Sequence, residues 1–242
     1  MPKDSSITIV GAGRLGSALA AALRATGLPV VGPLGRDPDV GDAAVILLCV
    51  PDDSIAEVAR ALPAGRLVGH CSGATTLAPL APNEGFSLHP LLTGVGDSSA
   101  IRFTGAGCAV AGTSDHALAV ARDLALRLGM RPFAVRDEDR DLYHAAASMA
   151  SNYLVTLEGA AEQLGRLAGV DREHLVPLVR AAVENWARLG ARRALTGPIV
   201  RGDESTVTRQ REAIARRAGA LLPLWDCLAG ATRRLAQDEV VP

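Results

Sequence analysis

Lysine is almost absent from this sequence of 242 residues, which contains Lys3 and no other lysine. The remaining basic side chains are arginines and five histidines. A mechanism that requires a catalytic lysine within the body of the chain is therefore excluded. Among the side chains that are present, histidine is the best proton donor near neutral pH.

Cysteines are few and scattered, at Cys49, Cys71, Cys108 and Cys227. No two of them have the spacing of a metal site or of a thioredoxin-like motif, so we expect free thiols in a reducing compartment. The formal net charge of −1 gives no electrostatic bias toward nucleic acid. No apolar run reaches the ~18–20 residues that span a bilayer, and we find no signal peptide. We therefore expect a cytoplasmic protein that binds neither nucleic acid nor membrane.

Short apolar runs alternate with helix-forming segments over the first 136 residues. Strands are expected at six places along this part of the chain: 7–10, 28–34, 44–50, 67–70, 86–88 and 108–111. Helices are expected between them, over 14–26, 52–62 and 114–128. Strands that alternate with helices predict an α/β domain of the Rossmann type with a mostly parallel sheet.

The composition changes after residue 136 and becomes rich in Ala, Leu, Arg and Glu. Apolar positions recur at helical spacing over 137–167, 172–194 and 206–236, and we expect Pro223 to kink or split the last helix. The sequence thus predicts two domains, a dinucleotide-binding domain over 1–136 and an all-helical domain over 137–242. The apolar faces of the helices exceed what one small sheet can cover, which favours a homodimer through this half.

A glycine-rich turn follows the first strand and opens the first helix, with the sequence Gly11-Ala12-Gly13-Arg14-Leu15-Gly16. In this context the first glycine permits a tight turn, the second lets the backbone approach a pyrophosphate, and the third lets the helix pack on the strand. The helix N-terminus attracts phosphates through its amides and its dipole. We therefore predict that this turn, with Arg14 and Leu15, binds the pyrophosphate of a nicotinamide dinucleotide.

The end of the second strand carries no acidic residue of the kind that usually binds the ribose 2′-hydroxyl of NAD. Arg36 stands beside that position and can pair with a 2′-phosphate, so NADP(H) is the predicted cofactor. The alternative, in which Asp37 binds the ribose and Arg36 is solvated, stays open. Only residues 37–43 precede the next strand, fewer than the ~10–12 of a strand–helix–strand crossover. We expect a sheet that is trimmed on the adenine side.

Further motifs occur in a fixed order along the chain: Val50-Pro51-Asp52, His70-Cys71-Ser72-Gly73, Ser87-Leu88-His89-Pro90-Leu91, Tyr143-His144-Ala145-Ala146-Ala147, Ala150-Ser151-Asn152-Tyr153, Leu195-Thr196-Gly197-Pro198 and Arg201-Gly202-Asp203. With the glycine-rich turn they resemble a bacterial family of Rossmann-like proteins whose helical C-terminal half is a domain of unknown function. That family is similar to 6-phosphogluconate, 3-hydroxyisobutyrate and prephenate dehydrogenases and to pyrroline-5-carboxylate and ketopantoate reductases. The resemblance covers nearly the whole chain. It implies an oxidoreductase whose helical domain supplies substrate contacts and the dimer interface.

The predicted ligand sites lie in loops that follow the strands, because ligands of open α/β sheets bind outside the carboxyl ends of the strands. Val50, Pro51 and Asp52 follow one strand, and we expect them to contact the cofactor beneath the nicotinamide ribose. Ser72 and Gly73 follow the next strand, and we expect them to bind and orient a substrate carboxylate.

The helix after residue 137 places His144, Ser148 and Asn152 at i, i+4 and i+8, which puts them on one face. In the 3-hydroxyacid dehydrogenases that the chain resembles, this helix carries a catalytic lysine followed four residues later by an asparagine. At the same spacing Ser148 takes the lysine position and Asn152 the asparagine position. We therefore predict His144 as general acid, with His89 as the second choice. Asn152 would hydrogen-bond the substrate, Ser148 would orient it and Thr196 would contact it.

The leading hypothesis is an NADP-dependent reductase that transfers a hydride to a small oxo acid, with ketopantoate as the first guess. The arginine-rich composition suits a carboxylate substrate. An imine reductase of the pyrroline-5-carboxylate reductase type is the alternative within enzymes, since it also needs no lysine. A non-catalytic NADP-binding sensor or scaffold is the third possibility.

Overall fold

The computed structural model describes residues 6–35, 39–93 and 101–237, which belong to two compact units. The first unit extends to Ser151 and the second begins at Asn152. Residues 137–151, which the sequence analysis assigned to the helical domain, thus belong with the sheet. The physical reason is a set of polar contacts that anchor this segment to one strand. The roles predicted for the two domains stay predictions.

Seven strands form the sheet of the first unit: β1 (Ile7–Val10), β2 (Val30–Leu34), β3 (Val45–Leu48), β4 (Leu67–His70), β5 (Glu84–Pro90), β6 (Gly107–Gly112) and β7 (Arg131–Ala134). Their order in the sheet is β2-β1-β3-β4-β5-β6-β7. Only β5 and β6 pair in antiparallel fashion, while every other neighbouring pair is parallel. The predicted, mostly parallel α/β sheet is confirmed.

Helices cover both faces of this sheet: α1 (Arg14–Ala25), α2 (Asp52–Ala61) and α3 (Asp115–Arg127). Leu19 of α1 and Leu124 of α3 belong to one apolar core, and Ile55 of α2 belongs to the other. Strands β1, β3 and β4 are buried over their whole length because they are covered on both sides, and this explains their continuous apolar sequences.

Strand β7 was not predicted from the sequence. It lies at one edge of the sheet and pairs only with β6. Its sequence, Arg131-Pro132-Phe133-Ala134, is mostly exposed and includes a proline, which edge strands tolerate. A strand of this kind shows neither an apolar run nor an alternating pattern.

Strand β2 forms the opposite edge, and within the described residues no helix or strand connects it to β3. The predicted trimming of the sheet is thereby confirmed. The guanidinium of Arg24, in the last turn of α1, donates to the carbonyl of Val30 at 3.3 Å and also to that of Gly32. A side chain thus occupies two carbonyls that a further strand would otherwise use.

Helix α4 (Arg140–Ser148) is anchored to the sheet by Arg140, which is 2% exposed. Nε of Arg140 donates to the Asp137 carboxylate at 2.6 Å, and the guanidinium donates to the Ser87 hydroxyl of β5 at 2.7 Å. The second carboxylate oxygen of Asp137 accepts the backbone amide of Leu77 at 3.0 Å. This network fixes the start of α4 against β5.

A π-helical turn over Met149–Tyr153 follows α4 directly. The helical structure predicted over 137–167 is confirmed, but it includes this π-helical turn, so the regular i, i+4, i+8 spacing holds only for His144 and Ser148. Asn152 lies inside the wider turn, so its direction differs from that expected of an α-helix. The Ser151 hydroxyl donates to the Ala147 carbonyl at 2.7 Å, a local bond that competes with regular helix pairing.

The second unit is helical, as predicted, and its helices are α5 (Leu154–Leu167), α6 (Arg172–Leu189), α7 (Ala191–Ala194), α8 (Glu204–Arg217) and α9 (Leu222–Gln237). A 3₁₀ turn over Gly219–Leu221 separates α8 from α9. The break therefore precedes Pro223, which lies in the first turn of α9, where no amide hydrogen is needed. Within the described part of this unit only Val207, Ile214 and Ala229 are buried. None of the described helices is both long and apolar enough to cross a membrane.

Candidate active site

The glycine-rich turn between β1 and α1 has the geometry that requires its first and third glycines. Gly11 has φ +111°, and a Cβ there would lie 2.3 Å from the Cys49 carbonyl oxygen. A Cβ on Gly16 would lie 2.0 Å from the Gly11 carbonyl oxygen. By contrast, a Cβ on Gly13 would meet nothing within 4 Å. The middle glycine therefore faces open space, while the other two permit close backbone packing.

A cleft of about 590 Å³ opens beside this turn. Its lining comes from the glycine turn, from Gly35 after β2, and from Val50, Pro51 and Glu57. Gly13, the N-cap residue of α1, lines the same cleft, so the N-terminal end of that helix lies beside it. An anionic group such as a pyrophosphate fits this arrangement because the positive end of the helix dipole faces the cleft.

Arg14 and Leu15, which were also predicted to bind the cofactor, are not among the described residues that line the cleft. Leu15 is partly buried and packs its side chain against the apolar core. Arg14 is exposed in the first turn of α1. Arg36 and Asp37, on which the predicted choice of NADP rests, lie outside the described residues.

Asp52 connects this cleft to the loop after β4. It is the first residue of α2, directly after Pro51, and its carboxylate accepts a hydrogen bond from the Ser72 hydroxyl at 2.6 Å. The Ser72 oxygen also accepts the amide of Thr75 at 2.9 Å and lies 2.9 Å from the Thr75 hydroxyl. Because these contacts use its donor and its acceptor sites, Ser72 shapes the loop rather than offering a free hydroxyl.

His70 supports the same loop from inside the protein. Its Nδ1 accepts the backbone amide of Ser72 at 3.2 Å, and its Nε2 lies 3.2 Å from the Thr76 carbonyl. Burial, assisted by the positive charge of Arg140, lowers the pKa of His70 to about 4. The neutral ring satisfies both contacts, since one nitrogen accepts and the other donates. His70 is therefore a structural residue of this loop.

Gly73 brings two predicted catalytic residues together. A Cβ on Gly73 would lie 2.7 Å from Cε1 of His89 and 3.0 Å from Cδ2 of His144. The two imidazole rings have their centroids 6.3 Å apart, and Nδ1 of His89 lies 2.6 Å from the Tyr143 hydroxyl. The absence of a side chain at Gly73 therefore lets both histidines approach the loop after β4.

The two histidines differ in their surroundings. Burial, followed by the charges of His144 and Arg140, lowers the pKa of His89 to about 4, against the opposing effect of Asp52. Burial also raises the pKa of the Tyr143 phenol to about 12. At neutral pH His89 is thus an uncharged ring beside a protonated phenol, while His144 is exposed on α4. An exposed imidazole suits proton transfer, and a neutral one suits hydrogen bonding.

The remaining predicted residues are spread over both units. Ser148 is half-buried on α4, one turn beyond His144. Asn152 and Thr196 belong to the second unit, where both are exposed, and their substrate contacts stay predictions. The roles of Arg140 and Tyr143 were not predicted from the sequence. The spacing of Arg140 and His144, four residues apart on one helix, was the available signal that Arg140 belongs near this site.

The family of the chain is given by its sequence. Residues 106–232 match the family model described as a domain of unknown function, DUF2520, and this range is more than half of the chain. The chain belongs to this family. The resemblance inferred from the motifs is therefore confirmed. No curated protein matches the sequence.

Solved structures share the fold over almost the whole chain. A candidate NADP oxidoreductase from Bacteroides fragilis has a TM-score of 0.78 at 20% identity, with 96% of this chain and 99% of that chain covered. A protein from Thermotoga maritima has a TM-score of 0.76 at 24% identity, with 96% and 98% covered. A reductive aminase from Aspergillus terreus, in complex with NADPH and ethyl levulinate, has a TM-score of 0.67 at 19% identity, with 95% and 94% covered. At these identities the likeness is one of fold.

Proposed function

We propose that this protein is an NADP(H)-dependent reductase that acts on a small oxo acid, with a ketopantoate-like acid as the first candidate. The observation that carries the proposal is an unbroken line of contacts at the carboxyl ends of the parallel strands. Pro51 lines the cleft, Asp52 accepts a hydrogen bond from Ser72, and both histidines lie where a side chain on Gly73 would be. A dinucleotide in the cleft would thus have a proton donor beside it, at the edge where such sheets bind ligands.

The cofactor assignment rests on the shape of the glycine turn. Gly11 and Gly16 pack too closely for a side chain, whereas Gly13 leaves space beside the N-terminal end of α1. NADPH would supply the hydride when bound, and the names of two fold relatives, an NADP oxidoreductase and an aminase bound to NADPH, support this choice. The preference for NADP over NAD rests on Arg36 and stays a prediction from the sequence.

The residues around Gly73 would handle the proton. His144 would protonate the oxygen of the reduced carbonyl, since it is the exposed imidazole of the pair. His89 would donate a hydrogen bond to the same oxygen as a neutral ring. Ser148 would orient the substrate, while the substrate contacts of Asn152 and Thr196 stay predictions from the sequence.

An imine is the second candidate substrate. The one lysine of the chain is Lys3, so the site offers histidines rather than an ammonium group. Histidine can protonate a nitrogen as well as an oxygen, and the name of the aminase among the fold relatives favours the reduction of C=N bonds. A non-catalytic NADP-binding sensor is the third candidate.

A substrate panel tests the proposed function. The purified chain is mixed with NADPH or NADH and with small oxo acids or cyclic imines, and cofactor consumption is followed by absorbance. We expect faster consumption of NADPH with one group of oxo acids. A clear rate with imines alone would select the second candidate. Tight NADPH binding without consumption across the whole panel would contradict both enzyme proposals and favour the sensor.

Two glycine variants separate cofactor binding from folding. Gly13→Ala is expected to keep the unfolding midpoint, because a Cβ at this position meets nothing within 4 Å. It should nevertheless weaken NADPH binding about tenfold or more, since the methyl group occupies the space next to the pyrophosphate. Gly16→Ala is the comparison, and it should lower stability because its Cβ would lie 2.0 Å from the Gly11 oxygen. Wild-type NADPH affinity in Gly13→Ala would show that the pyrophosphate binds elsewhere.

We also propose that a second copy of the chain covers the helical unit. Few of its residues are buried, and an apolar groove of about 290 Å³ is lined by the partly exposed side chains of Leu157, Leu224 and Leu228. Exposed apolar surface of this kind usually marks association, and closed dimers are its commonest form. Sedimentation at micromolar concentration should give the mass of a dimer, and Leu228→Glu should shift it toward that of the monomer. A wild-type monomer would contradict the proposal.

A further inference from the structure

Tyr143 makes a specific polar contact that the proposed reaction has not yet used. Its hydroxyl lies 2.6 Å from Nδ1 of His89, and the two rings meet edge to face with centroids 5.7 Å apart. Its other neighbour is Phe133 of β7, at 5.9 Å between ring centroids. Tyr143 directly precedes His144 on α4, whose start Arg140 anchors to β5. The phenol is therefore held firmly at one nitrogen of His89.

We propose that Tyr143 is a positioning residue that holds His89 in the tautomer with its proton on Nε2, ready to donate to the reacting oxygen or nitrogen of the substrate. The donation from His89 to the substrate rests on the proposed function. The tautomer of His89 is a property of the free protein and can be measured without a substrate.

The chemistry of the two groups favours a hydrogen bond from the Tyr143 hydroxyl to Nδ1 of His89, because a phenol is a stronger donor than an imidazole N–H and an imidazole nitrogen is a stronger acceptor than a phenol oxygen. Burial keeps the Tyr143 phenol protonated, because its pKa is raised to about 12. Burial also keeps His89 uncharged near neutral pH, because its pKa is lowered to about 4. A neutral imidazole has one nitrogen that accepts and one that donates. With the phenol donating to Nδ1, the ring proton must be on Nε2.

The opposite nitrogen of His89 is available for a ligand. In the described parts of the chain Nε2 has no hydrogen-bond partner, and the ring is only partly buried, next to Gly73 and His144. A neutral imidazole N–H can polarise a carbonyl or an imine without adding a charge to the site. By fixing the tautomer of His89, Tyr143 would give the two histidines different roles. His89 would donate a hydrogen bond, and His144 would transfer the proton.

The test measures the tautomer of His89 by ¹⁵N NMR of the histidine rings in the free, full-length protein. His89→Gln assigns the signals. We expect the shift of an unprotonated nitrogen at Nδ1 and of a protonated one at Nε2. Tyr143→Phe should move both signals toward a mixture of tautomers. Tyr153→Phe removes the hydroxyl from the other tyrosine of the chain, which is 63% exposed, and should leave the His89 signals unchanged.

The kinetic measurement is made with the substrate that the panel identifies. Tyr143→Phe should lower kcat about tenfold and change KM by less than about twofold, because the lost hydrogen bond positions a group that acts on the transition state. In the double variant, Tyr143→Phe should cause no further loss of kcat beyond that of His89→Gln alone. The proposal is overturned if His89 carries its proton on Nδ1, if Tyr143→Phe leaves the His89 signals in place, or if the two losses multiply. Failure of the whole panel would refute the proposed function, while the NMR result would still decide the tautomer.

Discussion

His144→Ala should lower kcat/KM for the substrate by about 10²- to 10³-fold, the usual contribution of a positioned general acid. His144 is exposed on α4, and its ring approaches both Gly73 and His89. We expect the loss mainly in kcat, because the imidazole would act on the proton of the transition state rather than on ground-state binding. Initial rates of NADPH consumption give both constants, and a separate titration with NADPH should show unchanged cofactor affinity.

His174→Ala is the matched control, because His174 is an exposed histidine on α6 that the proposed site does not include. Its kcat/KM should equal that of the wild type. His89→Ala and Asn152→Ala should also lose activity. If His144→Ala, His89→Ala and Asn152→Ala all retain wild-type kcat/KM, the assignment of this site to catalysis is wrong.

Arg140→Met should lower the free energy of unfolding of the first unit by about 2–3 kcal/mol, because two hydrogen bonds from a buried charged donor are lost. Arg140 is 2% exposed and donates to Asp137 and to the buried Ser87 hydroxyl. Methionine fills much of the same volume but leaves these two groups without their donor. Urea unfolding followed by circular dichroism measures the loss. Tryptophan fluorescence is unsuitable, since Trp186 and Trp225 both belong to the second unit.

Arg136→Met provides the control for this measurement, as the same substitution four residues earlier in the chain. The Arg136 side chain is 72% exposed and pairs with Glu138 and Asp139 at the surface. Exposed ion pairs contribute little to stability, so its unfolding curve should stay close to that of the wild type. Equal losses in the two variants would mean that the buried network does not anchor α4.

Features that depend on local sequence could be predicted. Strand β1 was predicted from an apolar run and helix α1 from helical periodicity. Gly11 was predicted to form a tight turn, and the turn has no room for a side chain at this position. The trimmed sheet followed from simple length, because residues 37–43 are too few for a crossover. Gly73, His89 and His144 were each predicted as site residues, and the structure brings these three together.

Features that depend on distant contacts could not be predicted in the same way. The bond between His89 and Tyr143 joins residues 54 positions apart, and the one between Arg140 and Ser87 joins residues 53 positions apart. No local pattern encodes such a pairing. The π-helical turn was also missed, because its apolar and small residues fit an α-helix equally well. These contacts explain why residues 137–151 belong with the sheet despite their helical composition.

In the parts of the chain that the structure describes, no strand lies beyond β2, and this has a consequence for behaviour in concentrated solution. An edge strand with unpaired backbone groups is a template on which another chain can add a strand, and this is a common route to aggregation. Here the Arg24 guanidinium already occupies the carbonyls of Val30 and Gly32, and Pro33 has no amide hydrogen to offer. The pairing of β1 with β2 is also irregular between Thr8 and Val10. Strand β2 is therefore an edge strand that offers no regular row of unpaired backbone groups to other protein molecules.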